Sequence, residues 1–221
     1  MNRRSPIPKA ALAAAALLLA GCSSEGNMGW SELYGAAGQM FSGGEGGVTL
    51  KEAAAVPYAS MGVRVGDGPE AMVVLASDSD GQRLWTSAAH IALLTHGGRI
   101  VRSSGFAHNL SAVTGTDPLP AFADPDAGPR EVTRQVDFWD MNLFAVTLSC
   151  RIESKGDDPV TILGATIKTH RVEESCTATR PDWSFTDTFW MDKSGLVWKS
   201  VQHINPALDP VETEILRPPS G

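Results

Sequence analysis

The sequence predicts a mainly β domain, an antiparallel meander forming a barrel or a two-layer sandwich, with short N-terminal helices. Three observations predict it. From Ala59 onward apolar and polar residues alternate with period two. Turn-forming clusters of Gly, Asp, Asn and Pro punctuate the alternation at short intervals. No stretch between the strands is a helix long enough to cross over between parallel neighbours.

Before that body, Arg3, Arg4 and Lys9 precede an apolar run from Ala10 to Ala20, and Leu19-Ala20-Gly21-Cys22 follows. A short basic-then-apolar segment ending in small residues is a secretory signal, too short to span a bilayer. Cys22 directly after Leu-Ala-Gly resembles the bacterial lipobox. That resemblance implies cleavage after residue 21, a diacylglyceryl thioether on Cys22 and an acylated new amine. Two or three chains on one residue hold a protein to a membrane, where one holds only marginally. Ser23, rather than Asp, follows the cysteine. By the usual sorting rule for such lipoproteins this favours the outer membrane over retention in the inner membrane.

Residues 22–47 carry the anchor and a small, polar tether, Ser23 to Gly29, with a short helix predicted over 31–41 before Gly43–Gly47. Thr49-Leu50-Lys51-Glu52 is a capping box that starts a brief helix, and Pro57 ends it. Strands are then expected at Ser60–Val65, Ala71–Leu75 and Arg83–Ser87. Ile91–His96 and Arg99–Arg102 form a hairpin through Gly97-Gly98, which supply the positive φ of a primed turn. Residues 106–128 read as an irregular excursion with one helical turn near Asn109–Ala112. Strands resume at Glu131–Asp137 and Leu143–Cys150. Lys155–Pro159 reads as a turn, and Val160–Cys176 as one long strand or two. Phe185–Met191, the turn Asp192–Gly195 and Leu196–His203 form a further hairpin, and Val211–Leu216 is the last strand. Residues 48–218 thus form a single domain of roughly ten strands.

Composition narrows the function. Lys and Arg number 18 against 25 acidic residues, and removing 1–21 takes away three of the former and none of the latter. So acidic a chain has no basic surplus with which to displace counterions from nucleic acid. With Cys22 lipidated, Cys150 and Cys176 remain, and in an oxidising compartment they read as one disulfide. Closing a loop of about 27 residues contributes roughly 3–4 kcal/mol in the chain-entropy model. No CxxC, HxH or HExxH accompanies them, so no metal or other cofactor is expected. Asp78-Ser79-Asp80-Gly81 lacks the later ligands of a calcium loop.

Catalytic signatures are equally sparse. There is no Gly-x-Ser-x-Gly, and a set such as Ser87, His90 and Asp80 could be assembled from almost any chain. Asp137 and Asp140 flank Phe138-Trp139, and Glu173-Glu174 are adjacent, but neither spacing is diagnostic of a glycosidase pair. The expectation is a protein that is not an enzyme. Its aromatics have two readings: core or interface filling, and stacking on sugar faces. Tyr58, Trp85, Trp190 and Trp198 are the candidate interface or saccharide-contacting residues.

A series of short pieces resembles one family. Pro57-Tyr58-Ala59-Ser60-Met61, Val63-Arg64, Gly66 and Val73-Val74-Leu75 come first. Trp85-Thr86-Ser87, Leu94-Thr95, Gly98-Arg99-Ile100-Val101, Asn109-Leu110 and Asp117-Pro118-Leu119 follow. Val172-Glu173-Glu174, Phe189-Trp190-Met191-Asp192, Gly195-Leu196-Val197-Trp198-Lys199-Ser200-Val201-Gln202 and Glu214-Ile215-Leu216-Arg217-Pro218 complete the series. In this order, over residues 48–218, they resemble the YjbF/GfcB lipoproteins, components of exopolysaccharide and group 4 capsule operons. The resemblance implies an outer-membrane lipoprotein, facing the periplasm, that assists polysaccharide secretion; the expected mode of action is docking rather than catalysis. It implies two partners, an outer-membrane β-barrel export protein and a periplasmic operon partner. It assigns no catalytic residue. A module that contacts the polysaccharide directly is the alternative.

Overall fold

A computed structural model of the chain describes residues 47–115 and 128–219, all within one compact unit, Ala36–Gly221. The expected signal, the expected lipobox and the predicted 31–41 helix lie outside the described residues. Among the described residues, one helix, α1 (Leu50–Ala55), precedes the strands. Its capping box is formed: Thr49 Oγ1 accepts from the Glu52 backbone, and Glu52 accepts from the Thr49 N–H at 2.8 Å.

The first half of the chain's strands comprises β1 (Ser60–Val65), β2 (Ala71–Ser79), β3 (Gln82–Thr86), β4 (Ala92–His96), β5 (Arg99–Ser104) and β6 (Ala112–Thr114). The second comprises β7 (Arg130–Phe138), β8 (Leu143–Asp157), β9 (Val160–Ile162), β10 (Ala165–Ile167), β11 (His170–Ala178), β12 (Trp183–Met191), β13 (Val197–Gln202) and β14 (Val211–Arg217). All but β9 and β10 join one antiparallel sheet of 12 strands, in the order β5-β4-β3-β2-β1-β14-β13-β12-β11-β8-β7-β6. The terminal strands β1 and β14 are neighbours, so the chain closes its own middle. At the two edges the Ser103 N–H donates to the Leu110 carbonyl at 2.9 Å, and Arg102 Nε to that of Ser111 at 3.0 Å. The sheet is therefore a nearly closed barrel, and the choice between barrel and sandwich falls to the barrel. Near-closure hides the edge donors that would otherwise invite pairing with another chain.

Three readings are corrected. Residues 109–112 form no helical turn; Leu110 is buried and Ala112 opens β6. Lys155-Gly156-Asp157 is no turn, because β8 runs on to Asp157 against β11. The segment between them is not strand throughout: β9 and β10 form their own small hairpin. On the outside, Val48, Ala53 and Met72 form a small cluster with Val56, Leu163 and Leu216.

Inside, alternation decides the core. On β8 the buried positions are Val146, Leu148, Cys150 and Ile152; on β11 they are His170, Val172, Glu174, Cys176 and Ala178. Cys150 and Cys176 are directly opposite in register and form a disulfide, with Cα atoms 4.0 Å apart. Gly98, in the β4–β5 turn, has φ +86°, and a Cβ there would run into Val197. Two independent reasons therefore require glycine at that corner.

Candidate functional site

Two places gather chemistry. The first is the lower rim, defined as the end where β12 finishes and β13 begins. Trp190 lies opposite Lys199, Lys199 opposite Glu214, and Ser60 opposite Arg217. This register brings Trp190, Trp198 and Tyr58 to the same end. Trp190 Nε1 donates to Asp158 Oδ2 at 2.9 Å, and Trp198 Nε1 to Asp192 Oδ2 at 2.7 Å. Both rings are half-buried, and Tyr58 is 66% exposed. Asp192 also accepts from Ser194 and Leu196, and these bonds outweigh burial to hold its carboxyl below the ordinary range. Each indole is thus fixed by a carboxylate. Trp85 is removed from this group: it is 1% exposed and donates to Thr95 Oγ1 at 3.1 Å inside the barrel. Its strand turns that ring inward, where the buried indole N–H needs a partner.

The second place is the charged interior, which no sequence motif announced. Arg99 and Arg134 both grip the Glu174 carboxylate. Arg99 Nη1 reaches Oε2 at 2.5 Å; Arg134 Nη1 reaches Oε1 at 2.5 Å and its Nη2 reaches Oε2 at 2.7 Å. Glu174 is fully buried, and the arginines nearly so. Burial pushes the Glu174 carboxyl up, but the Arg134 bonds and the two guanidinium charges prevail and hold it below its ordinary 4.5. Burial pulls Arg99 below its usual value. Burial also raises Asp187, although Asp187 accepts from the His203 backbone at 2.7 Å and contacts its ring Nδ1 at 3.1 Å.

Above this cluster lies a cavity of about 30 Å³ lined by Arg99, Arg134, Asp187, Gln202, His203 and a set of apolar side chains. The Trp183 and Phe185 rings stack at 4.1 Å along its wall, and Phe185 meets His203 at 5.4 Å. The volume suits a water or two and is far too small for a sugar ring. Glu174 and the sulfurs of Cys150 and Cys176 lie within 4.8 Å of one another. The sulfurs are bonded to each other and the carboxylate is held by two cations, so this is a poor donor set for a metal.

One signal could have revealed Glu174. In His170-Arg171-Val172-Glu173-Glu174-Ser175-Cys176, it shares the parity of Val172 and Cys176. A charge on the apolar face of a strand calls for a buried partner.

The profile of the family described as group 4 capsule polysaccharide lipoprotein GfcB, YjbF matches residues 37–216. The chain belongs to the YjbF/GfcB family. Among its relatives, the uncharacterized lipoprotein GfcB of Escherichia coli (strain K12) is 31% identical over 207 residues, covering 92% of this chain and 95% of that protein. YjbF of the same organism is 26% identical over 212 residues, covering 91% and 93%. The crystal structure of the hypothetical lipoprotein YmcC from Escherichia coli (K12) superposes with a TM-score of 0.69 at 30% identity. It covers 85% of this chain and 96% of that one. The YjbF/GfcB relatives are lipoproteins, which agrees with a membrane-anchored body, and among the described residues no helix is long and apolar enough to cross a membrane.

Proposed function

We propose that this protein is an outer-membrane lipoprotein, anchored through Cys22 and facing the periplasm, that assists capsule or exopolysaccharide secretion by docking to the export machinery. Family membership over residues 37–216 carries this reading. The Leu19–Cys22 sequence supports it by supplying an acylation site. Anchoring confines the barrel to the plane that holds an outer-membrane β-barrel export protein. This raises the effective concentration of each partner for the other without any new contact. A periplasmic operon partner completes the assembly. The lower rim is the docking face, with exposed Tyr58 at its edge.

Crosslinking in intact cells tests the face. A photo-crosslinking residue in place of Tyr58 is expected to capture an outer-membrane β-barrel protein. The same residue in place of Thr177, exposed on the outside of β11, is not. Equal capture from both positions contradicts the assignment.

A second reading, direct contact with the polymer, is favoured by the Trp190–Asp158 and Trp198–Asp192 pairs. Rings held by carboxylates at a rim can stack on sugar faces while the acids accept sugar hydroxyls. Titrating the delipidated protein with the strain's own polysaccharide should then quench tryptophan fluorescence saturably, and Trp198→Phe should reduce the change. A flat titration removes this reading and leaves docking untouched.

A further inference from the structure

Beyond docking, we propose that Ser154, His170 and Asp157 form a nucleophilic site at the lower mouth of the barrel, able to take an acyl group from an ester. The arrangement depends on an irregularity in β8. Val172 lies opposite Ser154 and Arg171 opposite Gly156, so Lys155 is an extra residue in the β8–β11 ladder. Gly156, at φ +88°, makes the bulge. Without it, Ser154 and Asp157 would point to opposite faces of the sheet. With it, Asp157 comes opposite His170, on the face that carries Ser154.

The three side chains are connected in the order that acyl transfer needs. Ser154 Oγ hydrogen-bonds His170 Nε2, and His170 Nδ1 faces Asp157 Oδ1 at 3.4 Å. With the ring proton on Nδ1, donated toward the carboxylate, Nε2 is the acceptor for the serine hydroxyl. The imidazole is largely sheltered and Asp157 is at the surface. The histidine therefore has a fixed setting, while water screens the carboxylate. Val172 opposite Ser154 and Met191 opposite His170 belong to a buried apolar cluster with Ile152, Phe189 and Val197. That cluster backs the Ser154–His170 pair with closely buried apolar side chains. The β7–β8 ladder ends at Ile152, so strand pairing with β7 does not use the backbone donors on that side of Ser154. A developing oxyanion needs donors of this kind.

In the step itself, Ser154 Oγ bonds to the ester carbonyl carbon as its proton moves to His170 Nε2. The carbon–oxygen bond to the alcohol then breaks, and the alcohol leaves with that proton, giving acyl-Ser154. Water repeats the sequence: it gives a proton to His170, attacks the acyl carbon, and releases the carboxylic acid as Ser154 regains its hydrogen. The reading is independent of docking, since partner capture at position 58 and chemistry at Ser154 can each fail alone.

The test treats folded, full-length protein in detergent with an alkyl fluorophosphonate and locates the adduct by peptide mass spectrometry. Ser154 is expected to be labelled about a hundredfold or more faster than Ser104, an exposed strand serine; this is the lower end of what a positioned base supplies. Labelling of Ser154 should vanish in urea-unfolded protein and in His170→Gln. Asp157→Asn should slow it by no more than about fivefold, because an exposed partner contributes little. Labelling of Ser154 at the rate of Ser104 in the folded wild type overturns the proposal. That comparison holds whether or not the His170 variant folds.

Discussion

Glu174→Ala is expected to destabilise the domain by about 3–5 kcal/mol. Glu174 is the shared partner of Arg99 and Arg134, and all three are buried. Removing the carboxylate leaves two guanidiniums facing each other in a medium that solvates neither. A small domain has only about 5–15 kcal/mol of stability in total, so much of the margin goes. Replacing the whole cluster, as Arg99→Met, Glu174→Leu and Arg134→Met together, should cost less than Glu174→Ala alone, because no charge is then left unpaired. Urea titration of wild type and these two variants checks both statements. Acid provides a second check. The Glu174 carboxyl titrates lower in the folded state than unfolded, so its contribution is complete above the ordinary 4.5 and is lost as pH falls through the lowered folded value. Asp187, raised by burial, works in the opposite sense. Comparing wild type with Glu174→Gln isolates the first: the stability difference between them should shrink on acidification below about pH 4.5.

Cys22→Ser is expected to leave a folded barrel that is released from membranes and to abolish polysaccharide secretion. The domain does not need the anchor to fold: the described core is built from residues after Gly47, and its disulfide is Cys150–Cys176. The proposed anchor acts on location. Acyl chains contribute about 0.8 kcal/mol per buried methylene, and two or three together make residence in the membrane lasting. Without them the barrel is diluted through the periplasm, and its encounter with a membrane-bound partner loses the advantage of a shared plane. Fractionation of the envelope and assay of secreted polymer are the measurements. Normal secretion by a fully soluble variant contradicts the docking account.

Much of the architecture was legible from local chemistry. Thr49 and Glu52 specify a helix start with no help from the rest of the chain, and Gly97-Gly98 specify a tight hairpin corner. The parity of Cys150 and Cys176 along their strands allows them to meet. What could not be read depends on contacts between distant segments. Trp85 sits in a strand whose alternation does not say which face is core; the sheet around it settles that. Lys155-Gly156-Asp157 has the composition of a turn, yet β11 supplies ladder partners that carry β8 through it as a bulge. Asp157 joins Ser154 and His170 on one face only because of that bulge. Arg99 and Arg134 look like surface residues until Glu174, 75 and 40 positions away, gives them a buried partner.

The proposed activity depends on a strand-built body held to the outer envelope by lipid. Mass spectrometry of the N-terminal peptide from purified outer membranes tests this most directly. The account predicts a chain beginning at Cys22 with a diacylglyceryl thioether on its sulfur; an unmodified Cys22 thiol on a protein recovered in the soluble periplasm would contradict it.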